Sequence, residues 1–317
     1  MADSAGDACD AVPQSGSRRV WTTLITNIDY LPGLLTLDHS LKAFDSQYPL
    51  VALYTDTFPA EGHRALDRRG IPKQHVKYLL PSVSKDFSND PRFYDCWSKL
   101  TPFSLTQYDR VVQLDSDMLV MDNMDELMEL HLDPPSMRGT GDRVFAAGHA
   151  CLCNPLKKPH YPEDWTPANC AFTSQHDDPD RAQKEGPSIA AGLGIMNGGL
   201  QVVNPSSEVY DLILEQLNKP EAIEKYEFAD QSLLSDLFKN RWVSLPYTYN
   251  ALKTLRWQDV HHQIWRDDEI KNIHYILAPK PWAEDRAESQ EETHHWWHRA
   301  NDLRLADEKA NGQLDGF

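Results

Sequence analysis

Two carboxylates one residue apart, Asp115 and Asp117, follow directly on the short run Val111-Val112-Gln113-Leu114, and apolar chain resumes at Met118. In extended backbone, residues two apart point to the same side, so the small Ser116 leaves the pair facing together. Neighbouring carboxylates repel unless a cation lies between them, and hard divalent cations favour oxygen ligands. In open α/β sheets, ligands gather where strands end at their carboxyl side. The pattern points to a metal–diphosphate site. A turn with two solvated aspartates is the plainer alternative. Further along, Asp230-Gln231 opens a helical stretch, where an aspartate most often serves as an N-cap. His274 ends an apolar run, and Lys280 stands between Pro279 and Pro281 on stiff backbone, an unusual setting for a merely solvating lysine.

The elements that must position these groups alternate. Val20–Ile25 reads as a first strand, followed by the polar turn Thr26-Asn27-Ile28-Asp29-Tyr30. Leu34, Leu37, Leu41 and Phe44 recur at helical spacing. Leu50–Tyr54 is a second strand, a helix over about Pro59–Arg69 stops at Gly70, and Val76–Leu79 reads as a third strand. Strand and helix in alternation mark a parallel sheet with helices on its faces. No G-x-G-x-x-G follows the first strand and no G-x-x-x-x-G-K-[ST] occurs, which argues against a dinucleotide fold and a P-loop.

Residues 131–190 are irregular, rich in Pro, Asp, His and Cys, with a strand expected at Val144–Ala147. His149, Cys151, Cys153 and Cys170 are metal-capable types, but their spacing matches no standard C-x-x-C pair. A long loop covering a site is the reading adopted. Regularity returns at Ile195–Val203, where Asn197-Gly198-Gly199 allows close approach of backbone to a ligand or another element. Helices are expected from Ser206 to Leu217 and from Asp230 to Phe238. In the tail, His294 and His298 share one helical face beside Trp296 and Trp297. The tryptophans are expected to dock the helix and the histidines to be solvated.

The 317 residues carry a net charge of −17, with 40% hydrophobic and 25% charged residues. That balance describes a globular chain and argues against nucleic acid or an anionic membrane as partner. An anionic substrate must then be received by a local device, a metal or a few placed cations. No run of ~18 apolar residues offers a membrane span. Met1–Ser17 reads as a disordered tail, and five scattered cysteines suit reduced thiols in the cytosol.

Taken in order, Thr26-Asn27 with Tyr30, Trp97-Ser98-Lys99-Leu100, Leu114-Asp115-Ser116-Asp117, Asn197-Gly198-Gly199, Asp230-Gln231, Tyr249-Asn250, and His274 followed by Lys280-Pro281-Trp282 form a set. The set resembles the glycogenin and galactinol synthase group of family 8 glycosyltransferases from about Val20 to Trp282. The resemblance is closer to the galactinol synthase-like branch, through Cys151–Cys170, Leu255-Arg256-Trp257 and Trp296-Trp297. The sequence departs from the group at Leu277-Ala278, where a glycine is usual, and at Ser116, where Ala or Gly is.

The resemblance implies an α/β chain with a GT-A fold, a single Rossmann-like mixed sheet flanked by helices. It places a disordered tail at 1–18, the transferase domain at 19–283 with 131–190 as a lid-like insertion, and a C-terminal helix and tail at 284–317. It further implies Mn²⁺ held by Asp115, Asp117 and His274, and a UDP-hexose donor. Thr26, Asn27 and Tyr30 would face the uridine, and Lys99 and Lys280 the phosphates or sugar. Ser116, Asn197 and Gly198 would line the donor site, with Asp230, Gln231 and Lys280 at the chemistry. The expected activity is retaining transfer of galactose or glucose to a small hydroxylated acceptor such as myo-inositol. A glycogenin-like self-glucosylating initiator and a non-catalytic UDP-sugar binder are the alternatives. A cytoplasmic protein is expected, and the resemblance admits a homodimer.

Overall fold

The computed structural model describes residues 18–317 except residues 90 and 92. The tail expected over residues 1–18, with Cys9, lies outside the described residues apart from residue 18. Among the described residues, ten strands and seven α-helices follow in chain order, joined by 3-10 turns. The first half runs β1 (Arg19–Ile25), α1 (Leu31–Ala43), β2 (Leu50–Tyr54), α2 (Ala60–Arg68), β3 (Lys73–His75), α3 (Phe93–Cys96), β4 (Arg110–Leu114), β5 (Met118–Val120) and β6 (Phe145–His149). The second half runs β7 (Met196–Val203), α4 (Ser207–Leu217), α5 (Pro220–Ile223), α6 (Ala229–Leu237), β8 (Val243–Ser244), β9 (Ala251–Leu252), β10 (Asn272–His274) and α7 (Glu292–Ala310).

Seven strands form one mixed sheet in the order β3-β2-β1-β4-β7-β6-β8. The side built from β3, β2, β1 and β4 is parallel, while β7 runs antiparallel to both β4 and β6. Val111, Val112 and Leu114 on β4 are buried on both faces, which is why the strand reads as a nearly continuous apolar run. Helix α1 starts with Pro32 in its first turn, where the missing N–H costs nothing, and buries Leu34, Leu37 and Leu41. Ser206 caps α4, its hydroxyl accepting from the N–H of Val209.

A second, three-stranded sheet orders β5-β10-β9. The chain crosses from the large sheet to the small one between Leu114 and Met118, so the Asp115-Ser116-Asp117 triplet is the crossing point. The backbone there is held on both sides: Asp115 N–H donates to Gly199 C=O (2.8 Å) and Tyr275 N–H donates to Asp117 C=O (2.9 Å).

Two local expectations are corrected. The third strand is Lys73–His75, not Val76–Leu79; Val76 and Leu79 are buried, but beyond the strand. Their apolarity serves packing under a loop, which mimics a short strand in sequence. His294 on α7 is fully buried rather than solvated, lying 3.0 Å from Lys253 Nζ and 2.5 Å from Glu284 Oε2. The docking of α7 through buried Trp296 and Trp297 is as expected.

Candidate active site

A cavity of about 480 Å³ opens where β1, β4 and β10 end and β7 begins, a size ordinary for a small-molecule site. Thr26, Asn27, Tyr30, Lys99, Asp115, Ser116, Asp117, Asn197, Gly198, Asp230, Gln231 and His274 all line it. Lys280 sits just behind, donating to Asp117 Oδ2 and, at 2.6 Å, to the C=O of Tyr275.

One carboxylate oxygen each of Asp115 and Asp117 and one ring nitrogen of His274 lie within 4.8 Å of one another. His274 Nε2 is 3.3 Å from Asp117 Oδ1 and 3.6 Å from Asp115 Oδ2. Its Nδ1 lies 2.9 Å from Asn250 Oδ1, and Asn250 Nδ2 in turn donates to Asn197 Oδ1 at 2.8 Å. With the Asn250 oxygen accepting, Nδ1 carries a proton and Nε2 is the nitrogen that faces the carboxylates: as an N–H it pairs with Asp117, and once deprotonated it offers a lone pair to a cation. Two carboxylates and one imidazole are a donor set that fits Mn²⁺.

The glycines explain themselves by what a side chain would strike. A Cβ on Gly199 would run into the His274 ring, and one on Gly198 into the Asp230 carboxylate. The close approach is needed at both positions.

Charge in the site is paired and buried. Lys99 Nζ donates to Asp115 Oδ2 at 2.7 Å. Burial opposes its charge, yet Asp115, Cys96 and Asp230 hold it protonated well above the usual lysine range. Burial alone would raise the Asp117 carboxyl, but Lys280 and His274 hold it well below the usual carboxylate range. Asp230 differs. Burial pushes its carboxyl up, Lys99 offsets part of that and Asp115 adds to it, leaving it at about 7. Its Oδ2 is buried without a hydrogen-bond partner, an expensive state that a structural N-cap would not show. Asp230 is also not the N-cap of α6, since Phe228 holds that place.

Family 8 of the glycosyl transferases has a sequence model that matches residues 22–286. The chain belongs to this family. Among curated proteins, this family 8 chain is similar to galactinol synthase 1 of Solanum lycopersicum, 28% identical over 94% of this chain and 86% of that protein. It is also similar to galactinol synthase 4 of Arabidopsis thaliana (25% identical, 92% and 84% covered). An uncharacterised protein, R707 of Acanthamoeba polyphaga mimivirus, is 27% identical over 82% of this chain and 81% of its own length. Among solved structures, the galactosyltransferase LgtC in complex with donor and acceptor sugar analogues superposes with a TM-score of 0.59 at 15% identity, covering 90% of this chain and 96% of that one. The glycosyltransferase GlyE of Streptococcus pneumoniae gives 0.56 at 16% identity, over 93% and 64%. The fold of this family 8 glycosyltransferase is GT-A.

Several groups in or beside the cavity carried no expected role. Asn250 was visible only as half of a Tyr-Asn pair, and its hold on His274 depends on β9 lying parallel beside β10. Asp95 accepts from Thr26 Oγ1 (2.7 Å) and from Tyr78 OH (2.6 Å), fixing the first loop. Tyr161, Trp165 and Phe228 form an aromatic wall, Trp165 and Phe228 stacked with centroids 4.2 Å apart. At the turn between His274 and Lys280, where the resemblance leads one to expect a glycine, Leu277 adopts φ 66°, the left-handed region that glycine favours. The three cysteines of the insertion do converge, but on His261; His149 instead packs against Trp242, ring centroids 4.8 Å apart.

Among the described residues, no helix is long and apolar enough to cross a membrane.

Proposed function

We propose that this chain transfers a hexose, galactose or glucose, from a UDP-sugar to a small hydroxylated acceptor with retention at the anomeric carbon. Myo-inositol is the first acceptor to test, given the galactinol synthases among its relatives. One observation carries the reading: Asp115, Asp117 and His274 converge at the end of β4, in the same cavity as the Asp230 carboxylate, whose Oδ2 has no hydrogen-bond partner.

Asp115, Asp117 and His274 would hold Mn²⁺, which supplies Lewis-acid stabilisation of the leaving diphosphate. Lys280 and Lys99 add fixed positive charge at that end, the local device a chain of charge −17 needs to receive an anion. Thr26, Asn27 and Tyr30 line the cavity just beyond β1, where they would receive the uridine. Tyr30 is braced there by Trp282, ring centroids 5.8 Å apart, whose Nε1 donates to the C=O of Asp29. Asn197, Gly198 and Gln231 meet at one point, both N–H donors lying 3.4 Å from Gln231 Oε1, where the donor sugar would rest.

Retention requires either a carboxylate nucleophile or attack from the leaving-group face within an ion pair. Asp230 suits the first, and its charge suits equally the support of an oxocarbenium-like transition state. Both roles need the ionised carboxylate, which the cations of a bound donor complex would favour over the acid. Asp230→Ala tests this: turnover is expected to fall at least a hundredfold with UDP affinity retained, and near-normal turnover removes both roles.

A further inference from the structure

Three thiols and an imidazole meet outside the transfer chemistry. Cys151, Cys153, Cys170 and His261 each offer one ligand atom, and the four atoms lie within 4.8 Å of one another. His261 Nε2 is 3.1 Å from Cys153 Sγ and 3.2 Å from Cys170 Sγ. Around a tetrahedral Zn²⁺, with bonds of ~2.3 Å to sulfur and ~2.0 Å to nitrogen, ligand atoms stand roughly 3.5–3.8 Å apart. The cluster is of that size. We propose that these four residues form a structural zinc site that fixes the wall of the active-site cavity.

The surroundings are those of a ligand set. His261 Nδ1 lies 2.9 Å from His176 Nε2. With Nδ1 protonated and donating to His176, Nε2 presents its lone pair to the sulfurs, the outer partner that metal-bound histidines usually have. The N–H of Leu152 donates to Cys170 Sγ at 3.4 Å, a bond that supports charge on a coordinated thiolate. Cys170 and His261 are buried and Cys151 and Cys153 half-buried, so four protein ligands close the site. Thiolates with one imidazole select zinc over the oxygen-seeking ions suited to Asp115 and Asp117. On binding, the three thiols release their protons to solvent and no electron is transferred.

The position gives the ion its purpose. Cys151 and Cys153 follow β6, Cys170 joins two 3-10 turns (Pro167–Asn169 and Ala171–Gln175), and His261 lies in a turn 91 residues further on. Cys151 itself lines the cavity, as do Asn154, Tyr161 and Trp165 between the ligands. Among the described residues 150–190 no strand or α-helix holds this wall, so a metal tie replaces the missing ladder of hydrogen bonds.

The test is zinc content of the full chain by mass spectrometry together with zinc-edge X-ray absorption. One zinc per chain is expected, with a shell of three sulfurs and one nitrogen. Asp117→Ala should retain that zinc, whereas Cys153→Ser and His261→Ala should lose it. If those two variants fail to fold, the absorption spectrum of the unaltered protein still decides. Absence of zinc, a shell of oxygen and nitrogen only, or an intact mass showing a disulfide among the three cysteines would overturn the proposal. None of these results depends on whether the chain transfers a sugar.

Discussion

His274 Nδ1 lies 2.9 Å from Asn250 Oδ1, and this contact sets which face of the imidazole meets Asp115 and Asp117. Removing the acceptor frees the ring to choose the other tautomer. Asn250→Ala should therefore weaken Mn²⁺ binding by about 10–100-fold. Asn250→Asp, which still accepts, should lose much less. Titration of Mn²⁺ followed by electron paramagnetic resonance checks both. Equal losses would show that Asn250 acts through packing alone.

Asp230 imposes a pH dependence on the metal-free protein. Its folded carboxyl titrates at about 7, raised by burial, while an unfolded aspartate titrates near 4. The folded state thus holds a proton that the unfolded state has released, and stability falls as pH rises through this window. In the presence of a chelator, Asp230→Asn should remove that decline. The variant should gain on the order of 2–4 kcal/mol over the parent between pH 4 and pH 8. Urea unfolding at the two pH values measures the difference. A constant gap would contradict a protonated Asp230.

The C-terminal segment is tied down by charge as well as by its tryptophans. Arg69, at the end of α2, donates to both oxygens of Glu308 (2.8 and 2.6 Å) and of Asp315 (2.8 and 2.9 Å), and Arg304 adds a bond to Glu308. All four side-chain groups at these contacts are shielded from water, with Arg69 only 6% exposed. Bonds from Arg69 hold Asp315 far below the usual carboxylate range; at Glu308, Arg69 and Arg304 outweigh the opposing effect of burial. Arg69→Met should cost on the order of 3 kcal/mol at pH 7, because it takes the main partner from two shielded acids and leaves Glu308 to Arg304 and Asp315 to the more exposed Arg68. Depressed carboxylates stabilise above their unfolded values and lose that contribution as pH falls below about 4. The gap between parent and variant should narrow toward pH 3, as chemical unfolding at both pH values will show.

The two sites differed in how far sequence could reveal them. Asp115 and Asp117 were legible because a buried strand must end in polar chain, and two acids at that end have few inexpensive explanations. Gly198 and Gly199 were legible as a close approach, but not what they approach; the His274 ring and the Asp230 carboxylate arrive from elements far along the chain. For Asp230 the local pattern suggested a cap, and only the unpartnered Oδ2 in the cavity separates a functional carboxylate from a capping one. The mixed sheet followed from the resemblance more than from periodicity, since β7 running antiparallel between β4 and β6 leaves no mark in its own residues. Local spacing misled most at the cysteines. No short motif contains Cys153 and His261, 108 residues apart, and only the folded loop brings them together.

The central claim is that the Asp115–Asp117–His274 cluster serves hexose transfer from a nucleotide sugar. The most direct test is UDP release from UDP-galactose and UDP-glucose, with Mn²⁺ or EDTA, with and without myo-inositol, using Asp117→Ala as control. The account predicts Mn²⁺-dependent release that inositol raises and the variant abolishes. Release unchanged by inositol would keep the site and move the search to another acceptor. Failure to bind or turn over either nucleotide sugar in the presence of Mn²⁺ would contradict the account.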